Sequence, residues 1–285
     1  MPIRRATQDD LPFLHGVFRG AVDDLFFRHG FEPPRPPEDY FQRLNAHVLE
    51  HDPEAFWVAE EDGALTGFVA ALVRGETWFL SALFVVPARQ GRGVGKELFA
   101  RAWEAGGNGI ARRLTVVDAI QPISTGMYSR AGLLPVTPLL SLAGEPQALG
   151  DAGLDPVDSD SAVLARIDAA AYGFDRAADH GFWGHEARRT LWARGGAPVA
   201  YSYRWPGGRI GPVAGLTPED AGGALESELE RAAGRFVSLV VPGSAGPALA
   251  GALRAGLRYS DPPGLVLTTD GDAPTRLVPH GYSLL

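Results

Sequence analysis

Residues 77–103 read TWFLSALFVVPARQGRGVGKELFARAW, and this stretch decides how the chain folds. The run 78–86 is short, β-branched and aromatic, which predicts a buried strand that Pro87 ends. Apolar residues then recur at helical spacing over 94–102. The sequence therefore predicts a strand, a loop and a helix in that order.

The predicted loop combines glycines with positive charges. Backbone N–H groups at a helix N-terminus have no partner within the helix, and the helix dipole makes that end positive. Together with nearby cations they form an anion site, and phosphate is the anion we expect. The residues concerned are Gly91, Gly93 and Gly95 with Arg89, Arg92 and Lys96.

Two familiar phosphate loops do not fit this spacing. A Walker loop would need glycine where Gln90 stands and Ser or Thr where Glu97 follows Lys96. A Rossmann fingerprint that begins at Gly91 would need a glycine where Lys96 stands. The ligand is therefore expected to be neither a P-loop nucleotide nor a Rossmann dinucleotide.

The pattern that does fit is Gln90-x-x-Gly93-x-Gly95, preceded by Leu83-x-Val85-x-Pro87. It resembles the acetyl-CoA pyrophosphate loop of the GNAT superfamily of N-acetyltransferases. The resemblance implies that backbone groups of the strand hold the pantetheine arm while loop amides hold the pyrophosphate. The residues it assigns to acetyl-CoA are Leu83, Phe84, Val85, Arg89, Gln90, Gly91, Arg92, Gly93, Val94, Gly95, Lys96 and Gln121.

Composition limits the class of protein. The 285 residues suffice for two domains, and 45% hydrophobic with 21% charged residues describes a globular protein with a full core. Cysteine is absent, so disulfides and thiolate metal sites are excluded, and a cytoplasmic location is the default expectation. A net charge of −8 argues against a general nucleic-acid binder, and the sequence predicts neither membrane span nor signal peptide.

The order of predicted elements resembles the GNAT fold twice over. The expected class is α/β with a mixed sheet: two GNAT-like domains in tandem, each a mostly antiparallel central sheet flanked by helices. We place an N-acetyltransferase domain at 1–145, a linker at 146–158 and a degenerate GNAT-like domain at 159–285. Within the last, 162–172 and 186–194 are expected to be helical.

The two halves are chemically unequal. In the second half, Thr217-Pro218-Glu219-Asp220 predicts a capped helix start where the first half has its glycine loop. Two carboxylates at a helix N-terminus would repel a phosphate. We expect the second domain to have lost acetyl-CoA binding.

The expected reaction is direct attack of an amine on the thioester. Tyr128 lies in a segment that resembles the family's Y-x-x-x-G-F helix, and the resemblance implies that its hydroxyl donates to the departing sulfur. Gln121 stands where many relatives have Asn. Glu76 and Asp118 are more typical of strand ends than of a general base, so no base is assigned. No motif predicts a metal site, although His180 and His185 lie close in sequence.

The acceptor is expected to be the primary amine of a small molecule. In the GNAT fold the first two helices overhang the acyl group, and here that region carries Asp23 and Asp24, which would suit an ammonium. Phe26, Phe27, Phe31 and Tyr40 could supply apolar walls. We expect a monomer or homodimer. A non-catalytic acyl-CoA-binding or regulatory module is the alternative.

Overall fold

A computed structural model describes residues 2–158 and 161–284 of the chain. Contacts divide these residues into two compact units. One consists of 2–115 with 120–133, and the other of 116–119 with 134–284. The division falls at residue 134, whereas the sequence predicted a domain boundary near 145.

The first unit is built on five strands that follow one another across a sheet in chain order. Neighbouring strands pair antiparallel, apart from the parallel pair formed by the fourth and fifth. The strands are β1 (Ile3–Arg5), β2 (Phe56–Glu61), β3 (Ala64–Arg74), β4 (Thr77–Val85) and β5 (Arg112–Asp118).

Four helices cover the two faces of this sheet: α1 (Leu11–Arg28), α2 (Glu38–His51), α3 (Val94–Ala105) and α4 (Pro122–Arg130). On one face the Phe84 ring of β4 packs edge-on against Phe18 of α1, with ring centroids 5.0 Å apart. On the other face the indole of Trp78 donates to the carbonyl of Ala102 in α3 at 2.9 Å. Regular alternation would put residues 78 and 84 on one face, but the β3–β4 register shifts between Leu80 and Ala82, and this irregularity turns the two side chains to opposite faces.

A two-residue turn joins β2 and β3 into a hairpin. Only Asp62 and Gly63 separate the strands, and both have positive φ, 52° and 78°. A two-residue turn with both central residues left-handed matches the right-handed twist of the strands.

The second unit holds two groups of strands. β6 (Leu134–Gly144) pairs antiparallel with β11 (Val237–Pro242), β12 (Arg258–Tyr259) and β13 (Gly264–Thr268). A five-stranded sheet has the order β14-β10-β9-β8-β7. Its members are β7 (Asp155–Val157), β8 (Arg188–Arg194), β9 (Ala197–Arg204), β10 (Ile210–Gly215) and β14 (Leu277–Val278).

The helices of this unit are α5 (Ser161–Ala171), α6 (Ala177–Gly184), α7 (Pro218–Arg231) and α8 (Gly246–Arg254). Buried side chains of α7 and α8 share one apolar cluster with β10 and β11, including Leu225, Ala252, Val213 and Leu239. In the described part of the chain, no helix is long and apolar enough to cross a membrane.

Two sequence-based predictions in this half need correction. Residues 186–194 are not helical: β8 pairs with β9, and its Thr190 to Ala193 segment is buried within the sheet. Trp192 and Thr190 favour strand once a partner strand is present, and this tertiary pairing overrides local propensity. The predicted linker 146–158 also contains β7, which pairs with β8.

Asp118, the last residue of β5, belongs to the second unit. Burial raises the pKa of the Asp118 carboxyl to about 6. Burial of the Tyr282 ring is the main cause of the raised pKa of its phenol, and the negative charge of Asp118 adds to it.

Replacing Asp118 should stabilise the protein near neutral pH. The pKa of Asp118 in the folded protein lies above its ordinary value of 3.8. The folded protein is therefore most stable below pH 3.8, and this contribution to the free energy of unfolding is lost as the pH rises through 6. Asp118→Asn should raise the free energy of unfolding by about 3 kcal/mol at pH 7 and by almost nothing at pH 3. Urea unfolding at both pH values measures this, with exposed Asp261→Asn as control. An equal change at both pH values would contradict the argument.

Candidate active site

The parallel ladder between β4 and β5 covers only part of each strand. It joins Thr77–Leu80 to Arg112–Thr115, and among the described residues it ends there. A bulge in the β3–β4 ladder coincides with this point, between Ala70 and Ala71 of β3. Residues 82–85 of β4 therefore pair with β3, and among the described residues no ladder joins them to β5 on their other edge.

Backbone alternation decides which groups face the open edge. Val86 N–H donates to the Thr66 carbonyl on the β3 side at 2.9 Å. In an antiparallel pair successive residues point their N–H and C=O to alternate sides, so Val85 and Leu83 point theirs away from β3. Both belong to the strand whose backbone the GNAT resemblance assigns to the pantetheine arm.

Phe84 does not share this position. The same alternation turns its backbone toward β3, where it stands opposite Phe68. Its ring packs against Phe18 and Phe68, at 5.0 and 5.5 Å. Both its backbone and its side chain are thus engaged elsewhere. That Phe84 belongs to the acetyl-CoA site stays a prediction, and these contacts count against it.

Beyond β4 a single 3-10 turn, Pro87–Arg89, leads into the glycine loop. The side-chain amide of Gln90 folds back and donates to the Val85 carbonyl at 2.9 Å. Gly91 and Gly93 follow with φ of 76° and 88°, a conformation that only glycine adopts at little cost. Gln90 and these two glycines thus shape the loop. The hydrogen bond from Gln90 also uses the Val85 carbonyl, which is the last carbonyl group on the open edge.

Helix α3 begins immediately after Gly93. Its first internal hydrogen bond runs from the Glu97 N–H to the Gly93 carbonyl at 3.0 Å. The N–H groups of Val94, Gly95 and Lys96 therefore have no acceptor within the helix. Together with the positive end of the dipole, they offer donors for an anion at the place where the sequence predicts a phosphate. That an anion binds there stays a prediction.

The local charge is smaller than the sequence suggested. The guanidinium of Arg89 forms an ion pair with Glu61 of β2, so its charge is already balanced. Arg92 and Lys96 are exposed, and neither has an acidic partner within the described residues. The cations available to a phosphate are therefore two and not three. The role of Glu61 was missed, because nothing in the local sequence places β2 beside the loop.

Tyr128 lies on the same face of the sheet as the loop. It is buried in α4, its ring centroid is 5.4 Å from that of Phe99 in α3, and its hydroxyl is hydrogen-bonded to Ser124. Burial raises the pKa of the phenol above its ordinary value, so the group is protonated at neutral pH. Gln121 caps the start of α4, where its carbonyl accepts from the Thr125 N–H and hydroxyl.

On the opposite face, the predicted acceptor residues Asp23 and Asp24 are already paired. Arg19 and Arg35 bind the Asp23 carboxylate, and Arg28 binds that of Asp24. A cationic substrate would have to compete with these guanidinium groups. That both residues contact the acceptor stays a prediction, and these ion pairs count against it.

The aromatic residues that were predicted to form the apolar walls of an acceptor pocket differ in how exposed they are. Phe26 is buried, whereas Phe27 and Phe31 are exposed by 57% and 42%. Half-buried Phe18, Phe84 and Ile120 pack around Phe26 instead. Sequence reasoning missed this set because its members come from a helix, a strand and a loop.

His15, also on α1, was missed as well. Its Nδ1 lies 3.7 Å from a carboxylate oxygen of Glu38, and its Nε2 is buried without a hydrogen-bond partner among the described residues. The ring packs against Phe41, with centroids 5.4 Å apart. No local motif marks this histidine, because its partner is on α2.

In the second unit the start of α7 is capped as predicted. The Thr217 hydroxyl accepts from the Asp220 N–H at 3.1 Å, and Arg194 donates to the Asp220 carboxylate at 3.1 Å. The orphan amides that serve as an anion site in α3 are thus partly satisfied by the chain itself. Loss of acetyl-CoA binding in this unit stays a prediction that the capping supports.

His180 is the centre of a buried hydrogen-bond network. Its Nε2 contacts the Asp168 carboxylate at 2.9 Å and its Nδ1 contacts the Tyr203 hydroxyl at 2.8 Å, while Tyr201 donates to Asp168 at 2.7 Å. His185 is exposed. Nowhere in residues 2–158 and 161–284 do three His, Asp or Glu side chains group as metal ligands.

Comparison with known proteins fits this geometry. Residues 21–133 match the model of the acetyltransferase (GNAT) family. A protein of Archaeoglobus fulgidus, described as an uncharacterised N-acetyltransferase, is 34% identical over 118 residues, which cover 36% of this chain and 72% of that protein. The chain belongs to the GNAT family of acetyltransferases. It is therefore an acyltransferase.

Solved structures extend the GNAT likeness over the whole chain. A candidate acetyltransferase of Pyrococcus horikoshii has a TM-score of 0.78 at 18% identity and covers 100% of this chain and 95% of its own. A GCN5-related N-acetyltransferase of Sphaerobacter thermophilus has a TM-score of 0.66 at 16% identity, with 94% of each chain covered. A tandem GNAT protein of the clavulanic acid pathway has a TM-score of 0.56 at 16% identity, covering 95% of this chain and 99% of its own. At these identities the likeness shows the fold, and the fold is that of a tandem GNAT protein.

In this GNAT protein, Gly93 of the loop and Gly95 in the first turn of α3 should respond differently to alanine. Gly93 has a φ of 88°, and a left-handed conformation costs a residue with a Cβ roughly 1–2 kcal/mol. At Gly95 an added Cβ would meet only a Val85 methyl carbon at 3.6 Å, an ordinary contact. Gly93→Ala should raise the dissociation constant for CoA about tenfold, and Gly95→Ala less than threefold. Isothermal calorimetry measures both, and equal effects would disprove this role for the Gly93 backbone.

Proposed function

We propose that the first unit moves an acetyl group from acetyl-CoA to the primary amine of a small molecule. One observation carries this proposal: the open edge of β4 runs directly into a glycine loop at the N-terminus of α3. An extended ligand with a pyrophosphate at one end matches an unpaired strand edge that continues into an anion site.

The donor would be held mainly by backbone groups. The N–H and C=O groups of Leu83 and the N–H of Val85 can pair with the amides of a pantetheine arm. The amides of Val94, Gly95 and Lys96, with the exposed charges of Arg92 and Lys96, can hold the pyrophosphate. In this arrangement the thioester would lie beside the part of β4 that has no β5 partner.

In the reaction the amine nitrogen attacks the thioester carbonyl carbon. A C–N bond forms, the C–S bond breaks, and CoA leaves as a thiolate. At pH 7 an alkylammonium with a pKa of about 10.4 costs roughly 4–5 kcal/mol to deprotonate. That proton has to leave before attack, and the attacking nitrogen gives up a second proton as the amide forms. A chain of water molecules can accept both protons as well as a side chain can.

Tyr128 would stabilise the departing sulfur. Its raised pKa lies above that of an ordinary thiol, about 8.5, so complete transfer of its proton to the thiolate is uphill. A hydrogen bond from a protonated phenol nevertheless stabilises the charge that develops on sulfur. We therefore propose that Tyr128 acts as a hydrogen-bond donor, and that solvent finally protonates the thiolate.

The acceptor would approach from the face opposite to the loop. The loop, α3 and Tyr128 share one face of the sheet, while half-buried Phe18, Phe84 and Ile120 line the other. An amine that carries an apolar body fits these side chains. Because the nearby acids are paired with arginines, the site offers little attraction to a polycation.

A transfer screen tests the function. Purified protein is incubated with acetyl-CoA and single amines: aryl-alkyl amines, amino acids, polyamines, aminoglycosides and short peptides. Release of CoA is followed together with the mass of each amine. We expect acetylation of at least one small amine, best among those with apolar bodies. Tight CoA binding with no transfer to any of these classes would instead favour a non-catalytic binding module.

Replacing Tyr128 should affect turnover far more than donor binding. Tyr128→Phe removes only the hydroxyl, so kcat should fall by roughly ten to a thousandfold, the usual contribution of one such group or less. The KM for acetyl-CoA should stay within about twofold of its value, since the ring still packs on Phe99. Steady-state kinetics measures both, with exposed Tyr259→Phe as control. Full activity in the Tyr128 variant would make Tyr128 a packing residue.

The paired acids on α1 yield a separate prediction. Asp23→Asn with Asp24→Asn leaves Arg19, Arg28 and Arg35 without their carboxylates. The added positive charge should raise the KM for an ammonium-bearing acceptor about fivefold, equivalent to about 1 kcal/mol at a surface. The KM for acetyl-CoA should not change. Asp39→Asn, which breaks a comparable exposed pair with Arg43, is the control. An unchanged acceptor KM would assign Asp23 and Asp24 to the fold alone.

A further inference from the structure

The second unit repeats the elements that build the candidate site of the first. There β9 and β10 pair antiparallel, α7 follows, and β11 comes next, just as β3, β4, α3 and β5 do in the first unit. The residue before β10, Arg209, forms a parallel bridge with Ser238 of β11. The crossover from β10 through α7 to β11 thus begins like the one from β4 to β5.

The two crossovers differ at the strand edge. Beyond the bridge, β10 is paired on that edge with β14, which joins Val213 to Val278 and Ala214 to Leu277. The Gly215 N–H donates to the Arg276 carbonyl at 3.0 Å. Leu277 and Val278 are 2% and 0% exposed. An edge that is open in β4 is therefore filled in β10 by a late segment of the same chain.

The space at the helix start is filled as well. Only Leu216 and Thr217 separate β10 from α7. A Cβ added to Gly215 would lie 2.4 Å from the backbone nitrogen of Ala221, so strand and helix backbones are in direct contact. No loop intervenes that could surround a phosphate, whereas 86–93 separates β4 from α3.

The segment that carries β14 is anchored beyond the strand. Arg209 donates from Nε and Nη2 to the His280 carbonyl at 3.0 and 2.6 Å. The His280 ring stacks near Trp205, with centroids 4.4 Å apart, and burial lowers the pKa of His280 to about 3. A neutral, packed histidine beside the Arg209 guanidinium keeps this end of the segment in place at physiological pH.

We propose that β14 is an internal ligand of the second unit. It supplies, from the chain itself, the extended backbone that completes the β10 edge, so the cleft is closed to any extended small molecule. Unpaired backbone groups in an apolar core are costly, and adding a strand satisfies them. The comparison with the first unit rests on the function proposed above, but the closure of the β10 edge does not.

Hydrogen exchange tests the closure on the unaltered protein. If β14 closes the edge, the Gly215 amide should exchange at least about a hundredfold more slowly than a solvated amide, together with the interior amides of β9. Rapid exchange at Gly215 while β9 stays protected would overturn the proposal.

A full-length variant tests whether β14 binds the β10 edge as a ligand would. Leu277→Gly with Val278→Gly should speed Gly215 exchange at least about tenfold and lower Tm by several degrees, while exposed Thr275→Gly changes neither. A synthetic peptide of residues 273–282 should then slow Gly215 exchange in the variant and leave the unaltered protein unaffected. A variant that keeps its Gly215 protection, or a folded variant that the peptide does not protect, would count against an internal ligand.

Calorimetry with CoA separates this proposal from the first. One CoA per unaltered chain supports both proposals. Two equivalent sites would show the second cleft to be open and would overturn the internal-ligand proposal. No binding would remove the support for the function of the first unit, while the exchange and peptide experiments would still decide the role of β14.

Discussion

The structure of the site depends on one event: the parallel ladder between β4 and β5 ends after Leu80 pairs with Thr115. Beyond it, Leu83 and Val85 of β4 direct hydrogen-bond groups to an edge where the described ladder to β5 has ended. A sheet normally avoids this in its interior, because unpaired N–H and C=O groups away from water cost free energy. Here residues 82–84 are half-buried, so water can reach the edge, and a ligand that pairs with it would take the place of that water.

The rest of the first unit preserves this edge and its continuation. Gln90 ties the loop back to the Val85 carbonyl, and left-handed Gly93 turns the chain so that α3 starts with its amides facing outward. Glu61 neutralises Arg89, which leaves the helix dipole and two exposed cations as the attraction for an anion. The anion site is therefore mainly a backbone site, and its strength depends on loop geometry more than on net charge.

The tandem arrangement uses one set of elements in two ways. Where β4 is left open, β10 is paired with β14; where α3 begins with free amides, α7 begins with Thr217 and Asp220 capping each other. The second unit satisfies its own backbone and needs no ligand to complete its sheet. Its large buried aromatic side chains and the His180 network then contribute to a core and not to a cleft.

Local sequence determined the features that depend on residues close to one another in the chain. φ/ψ preferences and hydrogen bonds within a few residues account for the strand–loop–helix of residues 77–103, the Asp62-Gly63 hairpin and the Thr217 cap. The resemblance to GNAT proteins is also carried by a short motif in the first of these segments. The tertiary structure alone decided the rest. Residues 188–194 became a strand because β9 offered a partner, Arg89 lost its free charge because β2 placed Glu61 beside it, and β10 was closed because a segment distant in sequence adds a strand. Such pairings depend on which edges and charges meet in space, and no window of local sequence contains both partners.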